Sequence, residues 1–442
     1  MRCLAFAFVI IVFCASESVF SADYKLVNPK KVGLSKERLK RLDHLVEDHV
    51  DQKKIAGAVL LVARKGKIAY LKETGIADTD KPMKKDTIFR IVSMTKPIAS
   101  TAIMLLYEEG KLLLSDPVSK YIPEFKSPRV LELNPKGSEF EYKLVPAKRE
   151  ITVRDLLTHQ SGLIYLFPVN YYHERERAIV AQMYQEAGIT DGFCRPDETI
   201  GDMVKRLARL PLYKHPGEVW DYSISIDVLG YLVEVVSGIQ FDKFVEQRIF
   251  QPLKMKDSHF YIPKDKLSRL AAVWKSDWKG SLTRVGNERL VDNYLHLCPS
   301  DAYALSGKYL TGGGNVLSTV YDYFRFSQMF LNNGELDGVR LLGRKSVELM
   351  TATNHIGNND ARFLHDRSWK FGLGFAIQQG RGHDVDSGDD GVFEWAGIYS
   401  TRFSINPKEE KITIFMSQTT PFGHHFDLWD KILVLSGSAI SD

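Results

Sequence analysis

The strongest restriction on the fold is that β-rich segments lie at both ends of the chain and helical ones fill the middle. Ala58 to Ala63 and Ile68 to Leu71 are β-rich runs around Arg64-Lys65-Gly66, a hairpin pattern. Gly372 to Gln378, Val392 to Trp395, Thr401 to Ile405 and Lys411 to Ser417 are the matching strands near the other end. Between and around them apolar residues recur at three and four. Leu34 to Asp51 is one helical stretch, with Ser35 as its cap, and Ile98 to Tyr107 is another, stopping at Gly110. Further helices are expected over Thr152 to Thr158, Ile200 to Leu210, Ile226 to Val236, Phe241 to Phe250, Val320 to Asn332 and Asp427 to Leu435. Strands need partners along their edges, so the two ends are expected to share one sheet. The pattern predicts an α/β (α+β) fold: an antiparallel sheet built from N- and C-terminal strands, flanked by helices, with an inserted, mostly helical lobe. The α/β lobe is placed at about 30–117 and 301–435, and the helical lobe at about 118–300. No repeat or low-complexity linker divides the chain.

The 442 residues are 44% hydrophobic and 26% charged, ordinary globular usage that can bury a large core. Lys and Arg total 59 against 55 Asp and Glu. Nucleic-acid binders show a basic excess or stripe, so nucleic acid is not an expected partner. The runs Lys30-Lys31 and Lys81 to Lys85 read as solvated surface. Arg2 precedes an apolar run, Leu4 to Cys14, which is shorter than the roughly 20 residues a membrane-spanning helix needs. A positive start, a short apolar segment and then small residues describe a secretory signal over 1–21, cut after Ser21. The expected product is an exported chain, periplasmic or secreted, from about Ala22 and with no integral membrane segment. Cys194 and Cys298 would be its two cysteines, structural or joined in one optional disulfide, and too few for a metal framework.

Several site signatures are missing: no H-E-x-x-H helix, no phosphate loop and no G-x-S-x-G elbow. Gly312-Gly313-Gly314 lacks the spacing of a dinucleotide loop, and His424-His425 would point to different faces. Ser93-Met94-Thr95-Lys96 is the positive signal. A serine hydroxyl is a weak nucleophile until a base takes its proton. In a helix starting at Ser93, Lys96 lies one turn on and on the same face. The helix behind it is almost wholly apolar (Ile98, Ala99, Ala102, Ile103, Leu105, Leu106), and burial disfavours an ammonium ion, making the amine a usable base. The amide of Ser93, at a helix N-terminus, could help to hold an oxyanion. Chance supplies roughly two S-x-x-K patterns in a chain this long. The second, Ser276-Asp277-Trp278-Lys279, sits in a polar stretch and leads into no apolar helix.

More pieces follow in order: Phe89-Arg90-Ile91-Val92 before Ser93, then Leu156-Leu157-Thr158-His159-Gln160-Ser161-Gly162-Leu163. Pro216-Gly217-Glu218-Val219-Trp220-Asp221-Tyr222-Ser223 comes next, with Asp227-Val228-Leu229-Gly230 behind it. Leu310-Thr311-Gly312-Gly313-Gly314 and Phe393-Glu394-Trp395-Ala396-Gly397 complete the set. In this order and spacing the chain resembles the serine β-lactamase-like superfamily, which includes class C β-lactamases, D-amino-acid peptidases and family VIII carboxylesterases. The resemblance covers about residue 30 to 435. It implies Ser93 as the acylated nucleophile, Lys96 as its proton acceptor, and Tyr222 as the group that passes the proton to the leaving group. It also implies Trp395-Ala396-Gly397 as the third motif on the sheet edge strand, with the backbone amide of Ile398 as an oxyanion donor beside that of Ser93.

Two departures bear on substrate. β-Lactamases of this group carry Asn two residues after the tyrosine and Lys-Thr-Gly in the third motif, whereas this chain has Ile224 and Trp395-Ala396-Gly397. Both lost groups are polar donors for a β-lactam. A carboxylate without its cation binds poorly in a dry pocket, whereas an ester needs no such anchor. The pattern looks like the family VIII esterases, and Ile164-Tyr165-Leu166-Phe167 would line an apolar pocket. The resemblance therefore implies an exported serine hydrolase cleaving a small-molecule carboxylic ester through an acyl-serine, with no metal or organic cofactor. A class C-like β-lactamase, a D-amino-acid-specific peptidase and an acyltransferase are the alternatives.

Overall fold

The computed structural model describes residues 25–136, 138–166, 175–191, 197–286, 290–292, 295–297, 307–359, 361, 369–379, 389–421 and 426–442. The expected signal segment, Phe167, Cys194, Cys298 and His424-His425 lie outside the described residues.

One eight-stranded sheet joins the two ends of the chain. Its spatial order is Trp369–Phe371, Ala376–Gln378, Phe393–Gly397, Thr401–Asn406, Lys411–Ser417, Gly57–Arg64, Lys67–Asp78 and Lys81–Pro82. The central pairing is antiparallel and runs from Ala58 opposite Ser417 to Arg64 opposite Lys411. The N-terminal hairpin turns on Lys65 (φ 52°) and Gly66 (φ 72°). Two successive left-handed residues make a turn whose twist matches that of paired strands.

Side chains alternate across a strand, and here that alternation separates two cores. Val59, Leu61 and Ala63 face the large core that also holds Ile98, Ala102 and Leu106. Ala58, Leu60 and Val62 face the other way, against Leu39, Leu42 and Val46 of helix Lys36–Asp51 and Trp429 and Ile432 of helix Phe426–Ser438. Ser35 caps the first of these helices by accepting from the Arg38 amide at 3.2 Å. Covered on both faces, Gly57–Arg64 and Lys411–Ser417 are buried at every residue.

Helix Thr95–Glu108 lies inside the molecule, with every residue from Thr95 to Leu106 buried. A helix that is apolar all round must be enclosed on all sides. Helices Ser225–Ser237 and Phe241–Val245 pack against one flank, and Ile98 and Ala102 share one apolar core with Val59 and Leu61 of the sheet. The large core runs unbroken from the sheet through this helix into the inserted region.

The structure departs from the expected elements in several places. The region expected to be helical also carries hairpins: Arg129–Leu133 with Tyr142–Pro146, Trp274–Ser276 with Leu282–Arg284, and Leu290–Asp292 with Leu295–Leu297. These strands are short, and the first two hairpins mix exposed and buried positions, which leaves little periodic signal. Of the expected strand Gly372 to Gln378 only Ala376–Gln378 forms, paired with Trp369–Phe371 across a turn with Gly374 at φ 88°. The expected helix Phe241 to Phe250 is α-helical to Val245 and then opens into a π-turn, Glu246–Phe250. Among the described residues no helix is long and apolar enough to cross a membrane.

Within the sheet, Arg402 pairs with Glu394 at 2.7 Å on neighbouring strands, both buried, and stacks over Trp429. Removing one member of a buried ion pair strands the other charge in a low-dielectric interior. Glu394→Gln is expected to lower folding stability by about 3 kcal/mol. The check is the denaturation midpoint at unchanged slope.

Candidate active site

Ser93 sits in a single 3-10 turn, Val92–Met94, immediately before the α-helix that starts at Thr95. The sequence placed the serine on the helix itself; it lies one turn earlier. Val92 has φ 46°, a left-handed conformation that a β-branched residue rarely adopts. The surroundings hold it there. The Ile91 amide donates to Val316 at 3.1 Å, the Val316 amide donates to Thr95 Oγ1 at 3.1 Å, and the Tyr323 hydroxyl donates to the Met94 carbonyl at 3.0 Å.

Lys96 is 2% exposed, with its amine 3.1 Å from Ser93 Oγ and 2.8 Å from the Gly313 carbonyl. Burial drives its pKa well below the usual lysine range, against the opposing pull of Asp227 and Asp191. A neutral amine in this position donates one N–H to Gly313 and presents its lone pair to the Ser93 hydroxyl.

Tyr222 is also buried, and its phenol meets the side chains of Ser93 and Trp395. Its ring lies 4.8 Å from the Lys96 amine, and Tyr165 presents its ring to the same amine at 5.3 Å. Burial raises the Tyr222 pKa, so the phenol stays protonated at neutral pH. The structure thus brings Ser93, Lys96, Tyr222 and Tyr165 together.

An aromatic wall surrounds them. Tyr222 contacts Tyr165, His159, Trp220 and Trp395 at centroid distances of 5.3, 4.9, 6.4 and 5.4 Å, and Phe371 meets Trp395 at 5.4 Å. Behind the wall, Arg177 reaches across from helix Arg175–Glu186. It donates to the Tyr165 carbonyl at 3.0 Å and to Asp221 at 3.1 Å, so one buried cation ties together the chain segments bearing both tyrosines.

Trp395 and Gly397 lie on strand Phe393–Gly397, and Ile398 follows in the turn. This strand is not at the edge of the sheet, as the sequence had placed it, because two short strands continue beyond it. Its pairing on that outer side nevertheless ends at Glu394, so Trp395 to Gly397 lie beyond the ladder. A Cβ on Gly397 would lie 2.3 Å from the Ile91 carbonyl, so only glycine lets this strand approach the serine turn so closely. Ile398 packs against the apolar cluster of Val92, Val273 and Tyr399, which joins the end of the third motif to the serine turn.

The second S-x-x-K pattern is elsewhere and otherwise engaged. Ser276 donates to the Lys53 carbonyl at 3.1 Å and accepts from the Trp278 amide. Of Ile164-Tyr165-Leu166-Phe167, Ile164 packs into the large core and Tyr165 flanks Lys96.

Sequence reasoning gave no role to three features of this site. Asp227, on helix Ser225–Ser237, is fully buried near Lys96. His159 is buried against Tyr222, with Nδ1 accepting from the Ser223 amide at 3.2 Å. The glycine triplet forms the floor: Gly312 lies against Ile226 of the same helix, and Gly313 supplies the carbonyl for Lys96. The available signal was that Asp227 and the glycines stand in motifs of fixed order, but nothing in linear spacing says that they meet.

The Beta-lactamase family model matches residues 42–436, and the chain belongs to that family. Protein Rv1367c of Mycobacterium tuberculosis is 32% identical over 83% of this chain and 86% of its own length. Esterase EstB of Burkholderia gladioli is 36% identical over 50% of this chain and 51% of its own. Among solved structures, EstCE1, described as a hydrolase with promiscuous acyltransferase activity, superposes with a TM-score of 0.74 at 24% identity, over 90% of this chain and 99% of that one. Simvastatin synthase (LovD) of Aspergillus terreus superposes with a TM-score of 0.71 at 22% identity, over 90% and 97%. The family and its esterase relatives make this chain a serine hydrolase, and the structural likenesses bear on the fold.

A methyl group on Gly313 would lie 2.9 Å from Asp227 Oδ2 and from the Tyr165 hydroxyl, and 3.3 Å from Lys96 Nζ. Gly313→Ala is therefore expected to displace the amine and lower kcat/KM about 100-fold, the scale of a misplaced catalytic group. Steady-state kinetics alongside a circular-dichroism melt check this; an unchanged rate in a folded variant contradicts it.

Proposed function

We propose that this serine hydrolase cleaves small-molecule carboxylic esters with small or medium acyl groups, using Ser93 as nucleophile, and that it works after export. The observation that carries the reading is the Ser93 hydroxyl 3.1 Å from the amine of a buried lysine. Lys96 takes the hydroxyl proton as Ser93 attacks the ester carbonyl. Tyr222, protonated and facing Ser93, delivers a proton to the departing alkoxide and is refilled from Lys96. The amides of Ser93 and Ile398 hold the oxyanion, and Trp395, Gly397 and Tyr165 line the substrate site. Water, activated by the same amine, then attacks the acyl-serine and frees the enzyme.

Support for an ester over a lactam or peptide comes from two positions in the motifs. Ile224 and Trp395, both buried and apolar, stand where amide-cleaving relatives place an amide and a cation. A substrate carboxylate would meet no matching donor there. Esterase EstB and the lovastatin esterase of Penicillium rubens are among the relatives, the latter 29% identical over 68% of this chain and 67% of its own length.

The test is a panel of p-nitrophenyl butyrate, nitrocefin and a D-Ala-D-Ala peptide on the purified protein, with intact-mass detection of an acyl adduct. The ester is expected to dominate, and Ser93→Ala to lose both turnover and adduct. Dominant turnover of nitrocefin or the peptide rejects the ester assignment, and added short-chain alcohol that diverts the product to a new ester identifies an acyltransferase. The pH profile has a fixed sign. Only a neutral Lys96 can accept a proton, so kcat/KM is expected to rise with pH through an acid limb well below the ordinary lysine range. Export is tested by expressing the full-length chain and weighing the product, which is expected to lack 1–21.

A further inference from the structure

Lys96 shares its pocket with a second buried titratable group. Asp227 is fully buried on helix Ser225–Ser237. Its Oδ1 accepts from the Tyr309 hydroxyl at 3.2 Å, and Thr311 also stabilises the carboxylate. Among the described residues its Oδ2 meets no donor at hydrogen-bond distance. That oxygen, the Tyr165 hydroxyl and the Lys96 amine all border the one methyl-sized point above the Gly313 Cα. A buried carboxylate left one donor short is costly unless something in the site uses it.

Resting on the reading of Ser93 and Lys96 above, we propose that Asp227 is a positioning residue that controls the proton on Lys96. With the carboxylate ionised, the lysine is held as an ammonium ion and cannot take the proton of Ser93. When Lys96 has given up its proton and Asp227 has taken one up, by exchange with solvent, the pair is a neutral amine and a neutral acid, and the nucleophile can be activated. The exchange conserves net charge and replaces one positive and one negative group by two neutral ones, which a dry pocket accommodates. Burial raises the acid's pKa and lowers the amine's, which draws the two arrangements together in energy.

Other ionisable groups face this pair from the elements around it. Asp191, after helix Arg175–Glu186, acts on Lys96 in the same direction as Asp227 and holds the Leu166 amide at 2.6 Å. His159 feels the lysine and is driven towards its neutral form by burial. Tyr165 and Tyr222 lie within range of Asp227 and stay protonated, and Tyr309 donates its hydroxyl to the carboxylate. Asp227 is the carboxylate with the larger effect on the amine.

The experiment compares wild type, Asp227→Asn and Tyr309→Phe, reading the acid limb of kcat/KM on p-nitrophenyl butyrate. The acid limb of second-order labelling by a fluorophosphonate is read in parallel by intact mass. Removing the negative charge favours the neutral amine, so the Asp227→Asn limb is expected to move to lower pH by about one unit in both readouts. Tyr309→Phe weakens the carboxylate's stabilisation and is expected to move the limb the same way by less; it carries the test alone if Asp227→Asn does not fold. A merely structural role would scale the rate at every pH and leave the limb in place, and a fixed limb in a folded variant overturns the proposal. A wild-type protein that neither turns over ester nor labels rejects the Ser93 reading instead.

Discussion

The architecture of the site follows from keeping one lysine out of water. An ammonium ion in an apolar interior is expensive, and Lys96 lies in a buried helix, its amine held by the Gly313 carbonyl and the Ser93 hydroxyl. The sheet, the helix carrying Asp227 and the glycine floor are the parts that exclude solvent around it. Glycine at 313 leaves room for the amine, and glycine at 312 lets the loop lie against Ile226.

The serine is presented from a different kind of structure. Its turn contains a valine forced into left-handed backbone, clamped by hydrogen bonds to Val316 and by Tyr323. Strain of this sort persists only where neighbours over-determine it. The same turn is crowded from the sheet side by the strand ending at Gly397. Ser93, Lys96 and the strand ending at Gly397 are therefore positioned by packing that belongs to the core. Arg177 extends this logic outward, holding the Tyr165 carbonyl and Asp221 with one buried guanidinium. Trp395 adds its ring to the aromatic wall beside Tyr222.

Much of this could be read from the chain. The hairpin at Lys65-Gly66, the cap at Ser35 and the helix beginning near residue 95 all follow from local chemistry: turn residues, a hydroxyl before an apolar repeat, and an uninterrupted apolar run. The contrast between Ser93 and Ser276 was legible because one S-x-x-K leads into an apolar helix and the other into a polar turn. The short hairpins of the inserted region were not legible, since strands of three to five residues with mixed burial carry almost no period.

By itself, the sequence determined the fold class, the serine–lysine pair one helical turn apart, and the apolar residues that replace polar ones at 224 and 395. Those are consequences of local spacing and residue type, which a linear chain displays directly. Only the tertiary structure decided that Asp227 lies beside Lys96, that the glycine triplet is the floor of the site, and that the third-motif strand lies inside the sheet. Each of these depends on which distant segments are forced into contact when the core closes. Long-range packing sets that, and no short-range periodicity records it.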